Sequence, residues 1–227
     1  MSKTMELGYW RYRGLAHPLR FVLQYLGVPY TEKNYFLPEG GVTKETWAGG
    51  ERAKIRATYP PGLPFPNVPY LVDGDLHVSE SKAIMRYIAR TYGPQLLGTT
   101  PLIQVRVDML ESFLYDFWYM EFAHRVYENT PDAIAQFNAV HPEKLGHISR
   151  YVGDNTWAAG SELTVVDFWL CEFLEHLTIY DVNLLAPFPN LQRLRDNFQQ
   201  LPAIAAYRKS GDFIQTPCYS PRANLKL

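Results

Sequence analysis

The sequence predicts an α/β half of βαβ-ββα order followed by an all-α half. Three observations carry that expectation. Up to about residue 92 the apolar pattern switches between the two-residue period of strands and a helical period. From about residue 103 only helical periods remain, and between the two lies GPQLLGTTP, residues 93–101, a Gly-, Pro- and Thr-rich break. The expected division is a first domain at 1–92, a linker at 93–101 and a helical domain at 102–227.

The elements follow in order. MELGYW reads as a strand, and LAHPLRFVLQYL as a helix with Leu15, Leu19, Val22, Leu23 and Leu26 on one stripe and Gly27 as its stop. YTEKNYF is a second strand. Residues 37–66 are polar and rich in Gly and Pro, a long variable connection. YLV and LHV form a hairpin around the DGD turn, and a helix follows over about 80–92. Beyond the break, helical periods cover about 103–127, 131–152 and 165–177, with short pieces to about 208. Thr130-Pro131 is a cap followed by proline at the first helical position. In LTVVDF, Thr164 and Asp167 have capping-box spacing, and Leu163 and Phe168 that of a hydrophobic staple, so this helix start is strongly specified.

Composition narrows the class of partner. The 22 basic and 23 acidic residues leave a net charge of −1, so no overall field draws the chain to nucleic acid or to an anionic membrane. No apolar run approaches a membrane span, and MSKTMELGYW lacks a signal-peptide core, so a cytoplasmic location is expected. Cys171 and Cys218 stand far apart in no metal or redox spacing and are expected to be buried thiols; no metal is expected. There is no internal repeat.

Two stretches point to a site. In FPNVPYLVDG a proline stands directly before a strand, although it has no N–H for a ladder, so it either starts the strand or exposes nearby backbone. In SESKAI the free N–H groups of a helix start are aimed at Glu80 and Ser81, a ready anion site or simply a capped helix.

GYWRYRGLAHPLR, FPNVPYLVDG, SESKAI and LTVVDF, in this order, resemble the cytosolic glutathione transferases. The chain looks most like their mu class, through GYW, the region of Trp47, FPN and the ending PAIAAYRKSGDF. The resemblance covers nearly the whole chain. It implies a thioredoxin-like α/β domain that binds glutathione as co-substrate, then an all-α helical-bundle domain contributing the electrophile pocket and dimer contacts. It also implies a homodimer that conjugates the glutathione thiolate to small hydrophobic electrophiles in detoxification.

The site residues follow from the same resemblance. Tyr9 would donate its hydroxyl to the glutathione sulfur, with Trp10 and Leu15 beside the ligand. A free thiol with a pKa of about 8.5 is only about 3% ionised at pH 7, and lowering that pKa by about two units corresponds to roughly 2.7 kcal/mol. The Val68–Pro69 bond would be cis, against about 5% of X–Pro bonds in general. Val68, next to Asn67, would then pair through its backbone with the cysteinyl unit. Ser81 would take the γ-glutamyl carboxylate. Glu80, where mu-class chains usually carry glutamine, would have to face the ligand's ammonium group. Lys44, in place of the usual arginine, and Trp47 would hold the glycyl carboxylate. The family's further lysine has no counterpart in AGGERAKIRATYPPG, which leaves Arg52 or Lys54 to replace it. Asp116 would reach the ligand ammonium of the partner subunit, and Phe65, between two prolines, would anchor the dimer. Tyr127 would line the electrophile pocket, but it aligns only if one residue is inserted. A glutathione-dependent isomerase or peroxidase on the same site, or a non-catalytic carrier of hydrophobic ligands, are the alternatives.

Overall fold

The structure is a computed structural model that describes residues 4–37, 50 and 52–227. Strand β1 (Met5–Trp10) is central. β2 (Tyr30–Tyr35) lies parallel on one side, β3 (Tyr70–Asp73) antiparallel on the other, and β4 (Leu76–Ser79) at the edge beyond β3. The parallel pair needs a crossover, supplied by α1 (His17–Leu26), whereas the hairpin of β3 and β4 closes through Gly74-Asp75 alone. On α1 the expected stripe faces inward: Leu19, Val22 and Leu23 are fully buried. Gly27, at φ +64°, ends the helix in the left-handed conformation that glycine adopts without penalty.

Four boundaries differ from expectation, each for a local reason. Gly14–Ala16 forms a 3₁₀ turn, so α1 begins two residues late. The polar 37–66 connection contains the short helix α2 (Arg52–Arg56), whose charged composition carries no apolar stripe. α3 (Ser81–Tyr92) starts one residue late, with Glu80 as its cap. The 93–101 break contains a 3₁₀ turn at Pro94–Leu97 and ends as the start of α4 (Pro101–Tyr115), where Thr100 accepts the Ile103 N–H at 3.3 Å.

The helix expected over 103–127 is interrupted. After α4 comes a π-helical segment, Asp116–Phe122, and then α5 (Ala123–Glu128). The wider i→i+5 turn absorbs an extra residue without ending the helix. α6 (Pro131–Val152) begins as expected, Thr130 accepting the Ala133 N–H at 3.2 Å. α7 (Val165–Tyr180) runs three residues past its expected end, and α8 (Pro189–Gln200) and α9 (Pro202–Arg208) follow. No helix among the described residues is long and apolar enough to cross a membrane.

α7 is the axis of the helical half, with Val165 to Leu177 buried on every side. Its start carries the expected box: the Asp167 carboxylate accepts N–H groups from Thr164 at 2.8 Å and Ala158 at 2.7 Å. Burial nevertheless raises this carboxyl to about 6. α1 packs against both α7 and α9, so one apolar core runs through both halves. A buried ionic seam joins them. Arg13, just after β1, grips Glu172 of α7 with both arms of its guanidinium and reaches Glu175 at 3.1 Å. Glu175 also pairs with Arg208 of α9 at 2.7 Å.

Candidate active site

The turn after β1 is held from both halves. The Arg13 N–H donates to Pro217 O at 3.0 Å and the Gly14 N–H to Cys218 O at 2.9 Å, while Arg20 of α1 donates to Tyr12 O at 3.1 Å. Gly14 has φ +43°, and a Cβ there would stand 2.5 Å from the Tyr9 hydroxyl and 2.8 Å from the Tyr12 ring. Only glycine lets these two phenols close over the turn.

Tyr9 is 5% exposed, and its hydroxyl oxygen accepts the Leu15 N–H at 3.1 Å. Burial pushes the phenol up to about 12, against which the Leu15 N–H and Tyr12 pull only partly. At neutral pH it is therefore a protonated donor, and with Leu15 occupying its lone pair its own hydrogen is left for another acceptor.

Beside Tyr9 opens a cleft of about 430 Å³. It brings together eight of the expected residues: Tyr9, Trp10 and Leu15 from around β1, Asn67, Val68 and Pro69 before β3, and Glu80 and Ser81 at the start of α3. The Val68–Pro69 bond is cis, as the resemblance implied. Glu80 has φ +71°, a sparsely populated conformation for a residue with a side chain, directly before the free N–H groups of α3. Of the two candidate replacement cations, Arg52 lines the cleft and Lys54 does not; Arg56 lines it as well. Lys44 and Trp47 lie outside the described residues.

A second pocket, of about 90 Å³, lies behind Tyr9 and Leu15. Tyr127 lines it, on α5 directly after the π-helical segment. Trp118 and Tyr119 enter from that segment, Ala123 from α5 and Tyr219 from the C-terminal stretch. Tyr219 is tied in place: its hydroxyl accepts from Trp118 Nε1 at 2.8 Å and lies 3.1 Å from His176 Nδ1, while His176 Nε2 sits 2.9 Å from Glu172. Asp116 is exposed and lines neither the cleft nor this pocket. Phe65 is 68% exposed.

Several lining residues escaped the sequence reading: Tyr12, Arg56 and Tyr59 in the cleft, and Tyr115 and Tyr119 at its edge. A signal existed for the last two. They are four apart in a helical run, the spacing that places side chains over one another, and their rings stack at 5.0 Å. Trp118 and Tyr219 had no such signal, because they meet across a hundred residues of chain.

Comparison with known proteins agrees with this geometry. Residues 5–90 match the family model described as Glutathione S-transferase, N-terminal domain, and residues 116–211 that described as Glutathione S-transferase, C-terminal domain. Glutathione S-transferase Mu 1 of Rattus norvegicus is 36% identical over 223 residues, spanning 96% of this chain and 97% of that protein. Glutathione S-transferase 2 of Gallus gallus is 36% identical over 218 residues, 95% of this chain and 94% of that one. Among solved structures, the glutathione S-transferase Blo t 8 superposes with a TM-score of 0.81 at 27% identity, covering 98% of this chain and all of that one. A rat hPGDS complexed with a quinoline gives 0.71 at 29% identity, covering 90% and 96%. With both halves matched in order, and relatives alike over nearly their whole length, the chain belongs to the glutathione S-transferase family.

Proposed function

We propose that the cleft holds glutathione, that the pocket behind it holds a small hydrophobic electrophile, and that the Tyr9 hydroxyl donates to the glutathione thiolate between them. The observation that carries this is the place of Tyr9: it lines both cavities, with its oxygen already occupied by the Leu15 N–H. A donor at the sulfur favours the charged thiolate over the thiol. The thiolate then forms the new S–C bond, and the bonding pair it displaces leaves with a leaving group or moves into the electrophile.

The rest of the cleft suits the tripeptide. Ser81 and the free N–H groups of α3 favour the γ-glutamyl carboxylate, and Arg52 and Arg56 bring positive charge for the glycyl end, where Lys44 and Trp47 belong to the same reading. Glu80 is then the carboxylate facing the ammonium group. Asp116, exposed and away from its own cleft, suits a residue that serves a partner subunit. Phe65 supports a homodimer: an exposed phenylalanine between prolines suits an anchor, and a groove of about 140 Å³ lined by Met109, Phe113, Ile148 and Tyr151 offers an apolar seat for a benzyl group. Two buried free thiols, Cys171 and Cys218, fit the reducing cytoplasm, and the proposed domain division is 1–92, 93–101 and 102–227, with α4 beginning at the last linker residue, Pro101.

The test is Tyr9→Phe, which keeps the ring. Ultraviolet titration of bound glutathione should show the thiol pKa rising by about two units, a loss of up to roughly a hundredfold in thiolate at neutral pH, with turnover falling alongside. Ionisation as in wild type would make Tyr9 a wall residue.

A further inference from the structure

His176 lines neither the cleft nor the pocket, yet it stands at the centre of a chain of buried hydrogen bonds that ends in the pocket wall. Trp118 and Tyr219 are the wall residues at that end, and neither lines the cleft. Each brings one polar hydrogen to an otherwise aromatic surface. Where the two hydrogens go follows from counting donors. An indole nitrogen only donates, so the Trp118 Nε1–H goes to the Tyr219 oxygen, at 2.8 Å. The Tyr219 hydroxyl keeps a hydrogen of its own, and its other partner is His176 Nδ1, at 3.1 Å. On the far side of the imidazole, Nε2 lies 2.9 Å from Glu172. Although burial would raise the Glu172 carboxyl, Arg13 keeps it ionised at neutral pH, and a carboxylate only accepts. Nε2 must therefore carry a hydrogen. A neutral ring protonated there has a bare Nδ1, and the Tyr219 hydrogen goes to it.

The ring has no freedom to do otherwise. His176 is fully buried on α7, one turn after Glu172, and meets both wall rings edge to face, Trp118 at 5.2 Å and Tyr219 at 5.1 Å. Glu172 is itself fixed by the Arg13 guanidinium. The hydrogen bonds thus run one way, from Trp118 through Tyr219 and His176 to Glu172. A donor left facing the pocket would favour a ligand with an acceptor at that point and penalise an apolar one, whose burial against it leaves the donor unpaired. With both hydrogens turned away, the same wall offers ring surface alone.

We propose that His176 is a positioning residue of the pocket: as the neutral tautomer with its hydrogen on Nε2 it draws off the Tyr219 hydrogen, so that the pocket accepts electrophiles with an apolar aryl or alkyl trailing group and discriminates against those that end in a hydrogen-bond acceptor. This rests on the reading that the pocket holds the electrophile. His176 touches no substrate and acts through Tyr219.

The experiment has two arms. In the first, protein labelled at its histidine nitrogens is followed by two-bond proton–nitrogen correlation at neutral pH, with His176 identified by its loss in His176→Gln. Its Nδ1 should resonate as a bare nitrogen and its Nε2 as a protonated one; a hydrogen on Nδ1, in the other tautomer or in the cation, overturns the proposal. In the second, kcat/KM is compared for para-acetylbenzyl and para-isopropylbenzyl chloride, which share a shape and differ in one acceptor oxygen. His176→Gln keeps a donor for Glu172 but puts no acceptor at the place of Nδ1, whereas His176→Asn keeps an acceptor there. The ratio of the acetyl to the isopropyl compound should rise about fivefold in His176→Gln, the worth of one hydrogen bond, and return close to wild type in His176→Asn. Tyr219→Phe, which keeps the ring and frees the Trp118 N–H, should raise the ratio as well and shift the Nδ1 signal, so the proposal stays testable should His176→Gln fail to fold. An unchanged ratio, equal loss on both chlorides, or the same rise in His176→Asn as in His176→Gln overturns it. Failure of the proposed function is separate, since it shows as wild-type protein that conjugates neither chloride, whereas the nitrogen signals test the hydrogen-bond chain by themselves.

Discussion

The cleft and the pocket behind it share a wall, yet the chain builds them by different means. Most of the cleft comes from the ends of elements in the sheet half: the end of β1, the 67–69 segment before β3 and the first turn of α3. Its polar character is largely backbone and charge, placed by short local patterns. The pocket takes its inner walls from a π-helical turn, from α5 and from the C-terminal stretch, which meet only after the helical half has packed. A cleft of the first kind is fixed by local chain geometry, whereas a pocket of the second kind changes whenever one distant side chain changes. On the function proposed above, recognition of the common co-substrate belongs to the first, and choice of electrophile to the second.

The contrast fails if the two cannot be separated, and the buried seam is where they are joined. Glu172→Ala leaves the Arg13 guanidinium buried with Glu175 as its remaining carboxylate and removes the partner of His176 Nε2. Breaking a buried pair on one side costs about 3–5 kcal/mol, the largest effect expected here. Urea unfolding should report it, with Glu172→Gln intermediate because it keeps acceptor geometry for part of the guanidinium. A loss under about 1 kcal/mol in Glu172→Ala would mean that the halves are held together by apolar packing alone.

The same contrast explains what could be read beforehand. The individual strands, α1 with its glycine stop and the Thr130 and Asp167 caps are each written within a dozen residues and stand in the structure, and the 67–69 and 80–81 segments line one cleft. The π-helical turn was hidden because a helical stripe tolerates one extra residue. Arg13 was hidden for another reason. An arginine beside a glycine turn reads as a solvated charge until Glu172, 159 residues away, is folded against it. Tyr12 stood inside a quoted motif, but nothing local separates a pocket phenol from a core one.

A second test sharpens the contrast from the side of the partner subunit. If Phe65 anchors a dimer and Asp116 completes the neighbouring cleft, Phe65→Ser should weaken association by roughly 2 kcal/mol. Sedimentation at falling concentration would then reveal more monomer. Under monomeric conditions the KM for glutathione should rise more than that for the electrophile, since the proposed partner contribution, Asp116, goes to the cleft and not to the pocket. Equal rises would place the pocket, too, under the control of the interface.

The smallest expected effect asks which half sets the pH response at the seam. His17, at the start of α1, is fully buried with both ring nitrogens unpartnered, 4.6 Å from the Phe21 ring and 5.2 Å from that of Phe213. Burial, aided by the charges of Arg13 and Arg20 and opposed by Glu172, holds this imidazole well below its usual 6.5. The unfolded chain therefore gains a proton that the folded one refuses, and stability contributed by neutral His17 is lost as pH falls below about 6.5. Asp167, in the helical half, acts with the opposite sign. Its folded value of about 6 exceeds the unfolded 3.8, so the native state binds the proton first and gains stability as pH falls between those values. Glu172 enters only lower: burial would raise it, but Arg13 and the two histidines hold it well below 4.5, so its contribution is lost only as pH falls past that value. Between about 6 and 4.5 these two groups, one from each half, thus act in opposite directions. His17→Phe removes one of them. At neutral pH the variant should stay within about 1 kcal/mol of wild type, because it removes two unsatisfied nitrogens and adds modest bulk among aromatic rings. Its urea midpoint should then climb relative to wild type as pH is lowered from 7 to 5, by no more than the about 1.4 kcal/mol per pH unit that one proton allows. Parallel profiles for the two proteins would take His17 out of the seam's acid response and leave that response to the carboxylates of α7.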